Sequence, residues 1–221
     1  MKQTVIIHAC PARLWYVNDF LVPSLQEQGI NDIYIVNDKY KVGNLLAFIK
    51  SLEKPLDAWH LQDDVIICKD FAERIKKYNS GIVCGFSSNT FEPEGYEEGE
   101  TTSAHMGFSF PCIRIPAEVS EHFYNWFHDE DTKKKYNDMI QTGKMDDLLF
   151  KEFLIAERPN EKVINLNPSL VDHIDFLLGG STVNKAREGR YKQARATNFE
   201  DRGLVEVLRT QIVMKGGLTN E

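Results

Sequence analysis

Ala58-Trp59-His60-Leu61-Gln62-Asp63-Asp64-Val65-Ile66-Ile67-Cys68 runs apolar into two adjacent carboxylates and apolar out again. Trp59 and Leu61 before the pair, and Val65, Ile66 and Ile67 after it, read as a buried strand and the start of the next element. Two carboxylates side by side at a strand end repel each other and lose hydration unless a cation sits between or beside them. A divalent metal meets that need, because Mg2+ or Mn2+ takes oxygen ligands and is held by one or two carboxylates together with substrate phosphates. In open α/β sheets, ligands bind beyond the carboxyl ends of the strands, where Asp63 and Asp64 would lie. The plainer alternative is a helix N-cap, for which one Asp would suffice.

Upstream of this stretch, Thr4 to His8 is a β-branched run that predicts a first buried strand. Pro11 stands where a helix can start, and Leu14, Val17, Phe20, Leu21 and Leu25 recur at helical spacing until Gly29. Asp32 to Val36 predicts a second strand, which makes a βαβ unit and implies a parallel sheet. Arg13 falls in the first strand-to-helix turn and Asp38 just after the second strand. Lys41 to Leu52 is again helical in spacing, with Gly43-Asn44 near its start. No G-x-G-x-x-G run is present, so a dehydrogenase-type dinucleotide fold loses its main support.

The chain has 221 residues, 42% hydrophobic and 27% charged, with a formal net charge of −7. That suits one globular domain with an ample core and argues against a general nucleic-acid binder. No apolar run approaches the ~20 residues that span a membrane, and residues 1–10 lack a signal-peptide layout. Cys10, Cys68, Cys84 and Cys112 are widely spaced in apolar settings, which reads as reduced core thiols in a cytoplasmic protein.

Downstream, Asp70 to Tyr78 reads as a short helix and Gly81 to Phe86 as a strand. Residues 87–103, with Glu92, Glu94, Glu97, Glu98 and Glu100 among Pro and Gly, read as a long exposed acidic loop, either solvated or a wall over an acceptor. His105 to Phe110 and Cys112 to Ile115 predict two short strands. Pro116 opens a helix whose Phe123, Trp126 and Phe127 form a core stripe. Asp131 to Ile140 is a polar surface helix, and Val163 to Leu166 another strand. Asp146-Asp147 opens a late helix continuing through Phe153 and Leu154, a placement that capping and the helix dipole also favour. From residue 181 on, Lys185, Arg187, Arg190, Lys192 and Arg195 face only Glu188. They read as a solvated tail, as a basic flap that closes over a diphosphate with Arg187 and Arg195 on it, or as contacts to a polyanionic acceptor.

W-H-L-Q-D-D-V-I-I-C-K-D-F resembles the D-x-D-type motif of GT-A fold glycosyltransferases, in the variant read as Glu-Asp-Asp-Val, with Gln62 in place of the Glu. Small bacterial and phage lipopolysaccharide-type transferases are the most similar in character. The resemblance covers most of residues 1–180. It implies an α/β, GT-A-like single domain with a mostly parallel central sheet flanked by helices, an acceptor-side loop region, and residues 181–221 as a basic tail that packs on or closes over it. It further implies that Asp64, with Asp63 beside it, meets the metal of a metal–nucleotide-sugar complex. Arg13, Asp38 and Asn44 take places that hold the nucleotide or pack under it. The Asn167-Pro168-Ser169-Leu170-Val171-Asp172-His173 segment resembles the late P-S-L-x-x-H of several such enzymes, which makes His173 a metal ligand and, being a nitrogen donor, favours Mn2+ over Mg2+. Asp147, with Asp146 second, is implied as the base that deprotonates the acceptor.

The expected reaction is transfer of a sugar from a UDP-sugar to an acceptor hydroxyl with inversion; the acceptor is a glycan or, on the basic tail, modified bases in phage-type DNA. Two alternatives stand beside it. A nucleotidyltransferase shares such a sheet and a metal-holding Asp, although Ala9-Cys10-Pro11-Ala12-Arg13 lacks the glycines of a phosphate loop. A non-catalytic nucleotide- or sugar-binding module has no reason to keep adjacent unneutralised carboxylates.

Overall fold

The computed structural model describes residues 3–37, 45–86, 100–103, 110–142, 146–166, 168–174 and 178. In chain order, β1 (Thr4–Ala9) is followed by a 3-10 turn (Pro11–Arg13) and a helical stretch: α1 (Leu14–Tyr16), a π-helical turn (Val17–Leu21) and α2 (Val22–Glu27). Pro23 has no N–H to offer Asp19, and just before it the Val22 N–H reaches back to the Val17 carbonyl, five residues away. Gly29, at φ +82°, ends the stretch in the left-handed conformation that glycine adopts without strain. Then come β2 (Asp32–Asn37), α3 (Leu45–Ser51), β3 (Ala58–Gln62), β4 (Val65–Ile67), α4 (Phe71–Ile75) and β5 (Ile82–Cys84). β6 (Glu100–Ser103), β7 (Cys112–Ile115), α5 (Ala117–His128), α6 (Glu130–Lys135), α7 (Asn137–Thr142), α8 (Asp146–Glu157), β8 (Lys162–Asn165) and β9 (Val171–His173) complete the set.

Seven strands form one sheet in the order β2-β1-β3-β7-β5-β8-β6. β1 is parallel to β2 and β3, and β5 to β8, whereas β7 runs antiparallel to both β3 and β5, and β6 antiparallel to β8. All but β7 and β6 therefore point the same way. The fold is α/β, with a mostly parallel central sheet flanked by helices.

Strand alternation divides the core in two. Val5, Ile7, Ala9, Trp59, Leu61 and Val83 pack with Tyr16, Val17, Leu21, Leu25, Phe71 and Ile75 on one face. On the other, Ile82, Cys84, Ile113, Ile115 and Val163 pack with Phe48, Phe123, Phe150 and Phe153 from α3, α5 and α8. His8 and His60 point to this second face, where both rings meet Phe48 and lie 3.1 Å apart between His8 Nε2 and His60 Nδ1. Burial lowers both imidazoles, His60 to about 3.

Several sequence expectations are corrected. Val65–Ile67, read with the buried strand before it and as the start of the next element, is a strand of its own, which pairs antiparallel with β9 in a separate two-stranded sheet. Glu100–Ser103, expected at the end of an exposed loop, is a strand on the edge of the main sheet, paired with β8. The surface helix expected over residues 131–140 is two short helices that break at Tyr136, whose ring is buried against the second core cluster. The acidic segment 87–99, the strand expected from His105, and the tail 181–221 lie outside the described residues.

The close approach that fixes the late chain onto the sheet is at Gly85. Its N–H donates to the Cys112 carbonyl at 2.8 Å and its carbonyl accepts the Leu170 N–H at 2.7 Å. A Cβ there would stand 2.6 Å from Cys112 Sγ and 2.9 Å from Leu170 Cδ1. Gly85→Ala is expected to lower unfolding free energy in urea by about 1–3 kcal/mol. Gly29→Ala, whose Cβ would meet nothing within 4 Å, should cost only the left-handed conformation, about 1 kcal/mol.

Candidate functional site

β1 and β3 are parallel neighbours, so their carboxyl ends lie side by side. The chain leaves β1 through Cys10 into the 3-10 turn ending at Arg13, and leaves β3 into Asp63-Asp64. Asp63 Oδ2 accepts the Cys10 N–H at 2.6 Å, and Asp63 Oδ1 is 3.1 Å from Arg13 Nη1. The same Nη1 also donates to Asp64 Oδ2. Arg13 is 3% exposed, Asp63 0% and Asp64 5%. The cation that the carboxylate pair demands is thus a guanidinium from the same chain, whose several donors suit such a position. No helix follows the pair, which removes the N-cap reading; the two residues form the turn between β3 and β4.

The two-stranded sheet brings in the next group. β4 leaves the carboxylate pair directly, β9 pairs with it so that His173 stands opposite Val65, and the Ile174 N–H donates to the Asp64 carbonyl at 2.7 Å. His173 Nε2 thereby lies 3.1 Å from Asp64 Oδ1. Residues 109 apart in sequence are joined by strand register alone. Tyr16 fastens the same turn from the helix side, donating its hydroxyl to the Val65 carbonyl at 2.8 Å.

The two carboxylates are driven apart electrostatically, as expected of a coupled pair. Burial pushes Asp64 up, but His173 and Arg13 outweigh it and hold its carboxyl well below the usual carboxylate range. Burial and the Asp64 charge push Asp63 up, against the opposing pull of Arg13 and the Cys10 N–H. Arg13 itself is held charged: burial opposes this, and Asp64 and Asp63 more than offset it.

A second carboxylate approaches from α8. Gln62, the last residue of β3, donates from Nε2 to Asp146 Oδ2 at 3.3 Å. Asp146 is buried, and that burial, with Asp147 next to it, raises its carboxyl to about 7. Asp147 is half-buried, and its Oδ1 accepts the Leu148 N–H at 2.8 Å. Of the two aspartates at the head of α8, the one joined to β3 is Asp146.

Asp64 and His173 supply one oxygen and one nitrogen donor. At 3.1 Å the two are in direct contact, and an ion bound by both would take the place of the hydrogen bond that joins them. Arg13 engages the other oxygen of Asp64, so Asp64 Oδ1 and His173 Nε2 are the atoms of this pair that could face an ion. Among the described residues, no group of three or more His, Cys, Asp and Glu could hold an ion. Two protein donors, completed by substrate phosphates and water, are what Mg2+ and Mn2+ use in nucleotide sites, so the residues fit such an ion.

The structure therefore brings together Arg13, Asp63, Asp64 and His173, with Asp146 reached through Gln62. Asp38, Asn44, Arg187 and Arg195 lie outside the described residues. Sequence reading assigned Arg13 to a nucleotide and gave Gln62 no role. For Gln62 the signal was strand alternation, which turns residues 62 and 63 to opposite sides; for Arg13 it lay only in the sheet order that sets β1 beside β3. All four cysteines are buried free thiols. Burial raises Cys10 to about 11 and Cys68 to about 12, which unsuits them as nucleophiles. Among the described residues, no helix is long and apolar enough to cross a membrane.

No family model matches the sequence. No curated protein matches it either. Among solved structures, the chain is similar to the CTP:phosphocholine cytidylyltransferase from Streptococcus pneumoniae, at 11% identity and a TM-score of 0.45, over 78% of this chain and 92% of that one.

Arg13→Met removes the guanidinium that contacts both Asp63 and Asp64 and is expected to cost about 3–5 kcal/mol at pH 7, the usual penalty for orphaning one side of a buried ion pair. The sign with pH is diagnostic. In the native chain Asp64 is depressed on folding, so its contribution is present above about pH 4 and lost as pH falls through its folded value. Without Arg13 both carboxyls rise from their native values, so protonation toward pH 4 relieves their repulsion and the cost of the substitution should shrink from pH 7 to pH 4 in urea unfolding.

Proposed function

We propose that this protein is a glycosyltransferase that moves a sugar from a nucleotide-sugar, a UDP-sugar, to an acceptor hydroxyl with Mn2+ (or Mg2+) and inversion. The observation that carries the reading is the placement of Asp146, whose buried carboxyl α8 brings to Gln62 Nε2 at 3.3 Å, at the end of the strand that runs into the Asp63–Asp64 turn; burial there raises it to about 7. A sugar hydroxyl is too weak an acid to attack an anomeric carbon unaided. A base whose pKa lies near the working pH combines the right protonation state with useful driving force.

On this reading Asp146 takes the proton of the acceptor hydroxyl, the role first assigned by sequence to Asp147. Asp64 and His173 hold the ion, which supplies Lewis-acid stabilisation to the departing nucleoside diphosphate. Arg13 and Asp63 fix the turn that carries Asp64, as a second layer of hydrogen bonds does for metal ligands generally. The nucleotide roles that the resemblance implies for Asp38, Asn44, Arg187 and Arg195 belong to the same proposal, with the two arginines as the positive charge for a diphosphate. The acceptor is a glycan or another hydroxyl-bearing molecule.

Nucleotidyl transfer is the second reading, favoured by the same donor pair at Asp64 and His173, which would serve a nucleoside triphosphate equally well. Against it, the turn after β1 is a 3-10 turn over Pro11–Arg13 with no glycine to open a backbone cradle for phosphates.

Thermal-shift and calorimetric titrations of UDP- and GDP-sugars, with and without Mn2+, separate these readings. One nucleotide-sugar is expected to stabilise the protein only with the ion, by RT ln(1 + [L]/Kd), and to lose that effect in Asp64→Ala. Asp146→Asn should keep donor binding and lower turnover by about 10²–10⁴-fold. Stabilisation by a nucleoside triphosphate alone would replace sugar transfer with nucleotidyl transfer.

A further inference from the structure

We infer that Gln62 is a positioning residue for Asp146, joining the strand that carries the ion-holding turn to the helix that carries the base; this rests on the proposed transferase reading. Gln62 and Asp63 are consecutive, yet they serve opposite faces of the sheet. Gln62 follows His60 in the alternation and points to the face where Leu149, Phe150 and Phe153 anchor α8. Asp63 turns to the other side, toward the Cys10 N–H and Arg13. The three residues 62–64 thus address α8, the β1 turn and β9 in succession.

The residue type matters as much as its place. At 3.3 Å the amide Nε2 donates to Asp146 Oδ2, and an amide can keep donating whether the carboxyl is charged or protonated. It holds the side chain through a proton transfer without adding charge. A glutamate at position 62 would offer only acceptors when ionised, and would place a third like charge beside Asp146 and Asp147. Among the described residues, the ionisable group acting on Asp146 is Asp147, on its own helix. Neighbouring His8, opposite Gln62 on β1, is buried and held neutral. Substitution at position 62 therefore acts on Asp146 against a background of few other charges.

The test follows the Asp146 carboxyl directly, by 13C NMR of aspartate-labelled full-length protein, with the resonance assigned by its loss in Asp146→Asn. Gln62→Glu is expected to raise the titration midpoint of Asp146 by about one pH unit or more, as a like charge beside a buried carboxyl does. Gln62→Leu, similar in size and without a donor, should raise it by less. The acidic limb of the pH profile of kcat should move with the midpoint in each variant. A midpoint unchanged in both variants would overturn the inference, whatever the activity. A wild type that binds no nucleotide-sugar, in contrast, would remove the transferase reading while the titration still decided whether Gln62 governs Asp146.

Discussion

Two carboxylates in sequence at the buried end of a central strand form the constraint to which the other groups of the site answer. Left alone they would repel and lose hydration in a setting where neither is affordable. The fold answers from two sides: the turn after β1 supplies Arg13 and a backbone N–H, and β9 supplies His173. Each depends on a strand pairing. The parallel register of β1 with β3 aligns their ends, and the antiparallel register of β4 with β9 sets His173 against Asp64. A slip of one residue in either pairing would turn the side chains to the wrong face.

This arrangement divides labour within three consecutive residues. Asp63 is spent on structure, accepting from Cys10 and Arg13. Asp64 shares one oxygen with Arg13 and turns the other to His173. Gln62 crosses to α8. Adjacent carboxylates no longer stand as unneutralised charge, so their presence alone does not separate an enzyme from a binding module. That separation now depends on Asp146, a buried carboxyl near neutrality in a position that packing does not require, since Leu149, Phe150 and Phe153 already anchor its helix.

Much of the fold could be read from residues alone. The β-branched run at Thr4, the helical spacing of Leu14 to Leu25 and the strand after Gly29 gave the βαβ unit, because each has a period that only one element satisfies. The reading failed where pairing, not periodicity, decides. Val65–Ile67 is too short to show a period, and its strand character comes from β9, more than a hundred residues later. Glu100–Ser103 is polar and became a strand because the edge beside β8 accepts it. The site was legible as residue types, Asp63, Asp64, Asp146 and His173, since carboxylate pairs at element ends are conspicuous. Which partner each would take was not. Arg13 looks like any solvated turn arginine until the sheet order puts β1 beside β3, and the choice between Asp146 and Asp147 turns on which one the first turn of α8 directs at Gln62.

In the proposed function, Asp64 and His173 jointly hold a divalent ion against a nucleoside diphosphate. Pulsed electron paramagnetic resonance on the Mn2+–UDP complex, with the histidines labelled with 15N, tests it without reference to turnover. Nitrogen hyperfine coupling from one directly bound imidazole is expected, abolished in His173→Ala while the other histidines remain. A Mn2+–UDP complex that forms with no such coupling, or with a coupling that survives His173→Ala, would contradict it.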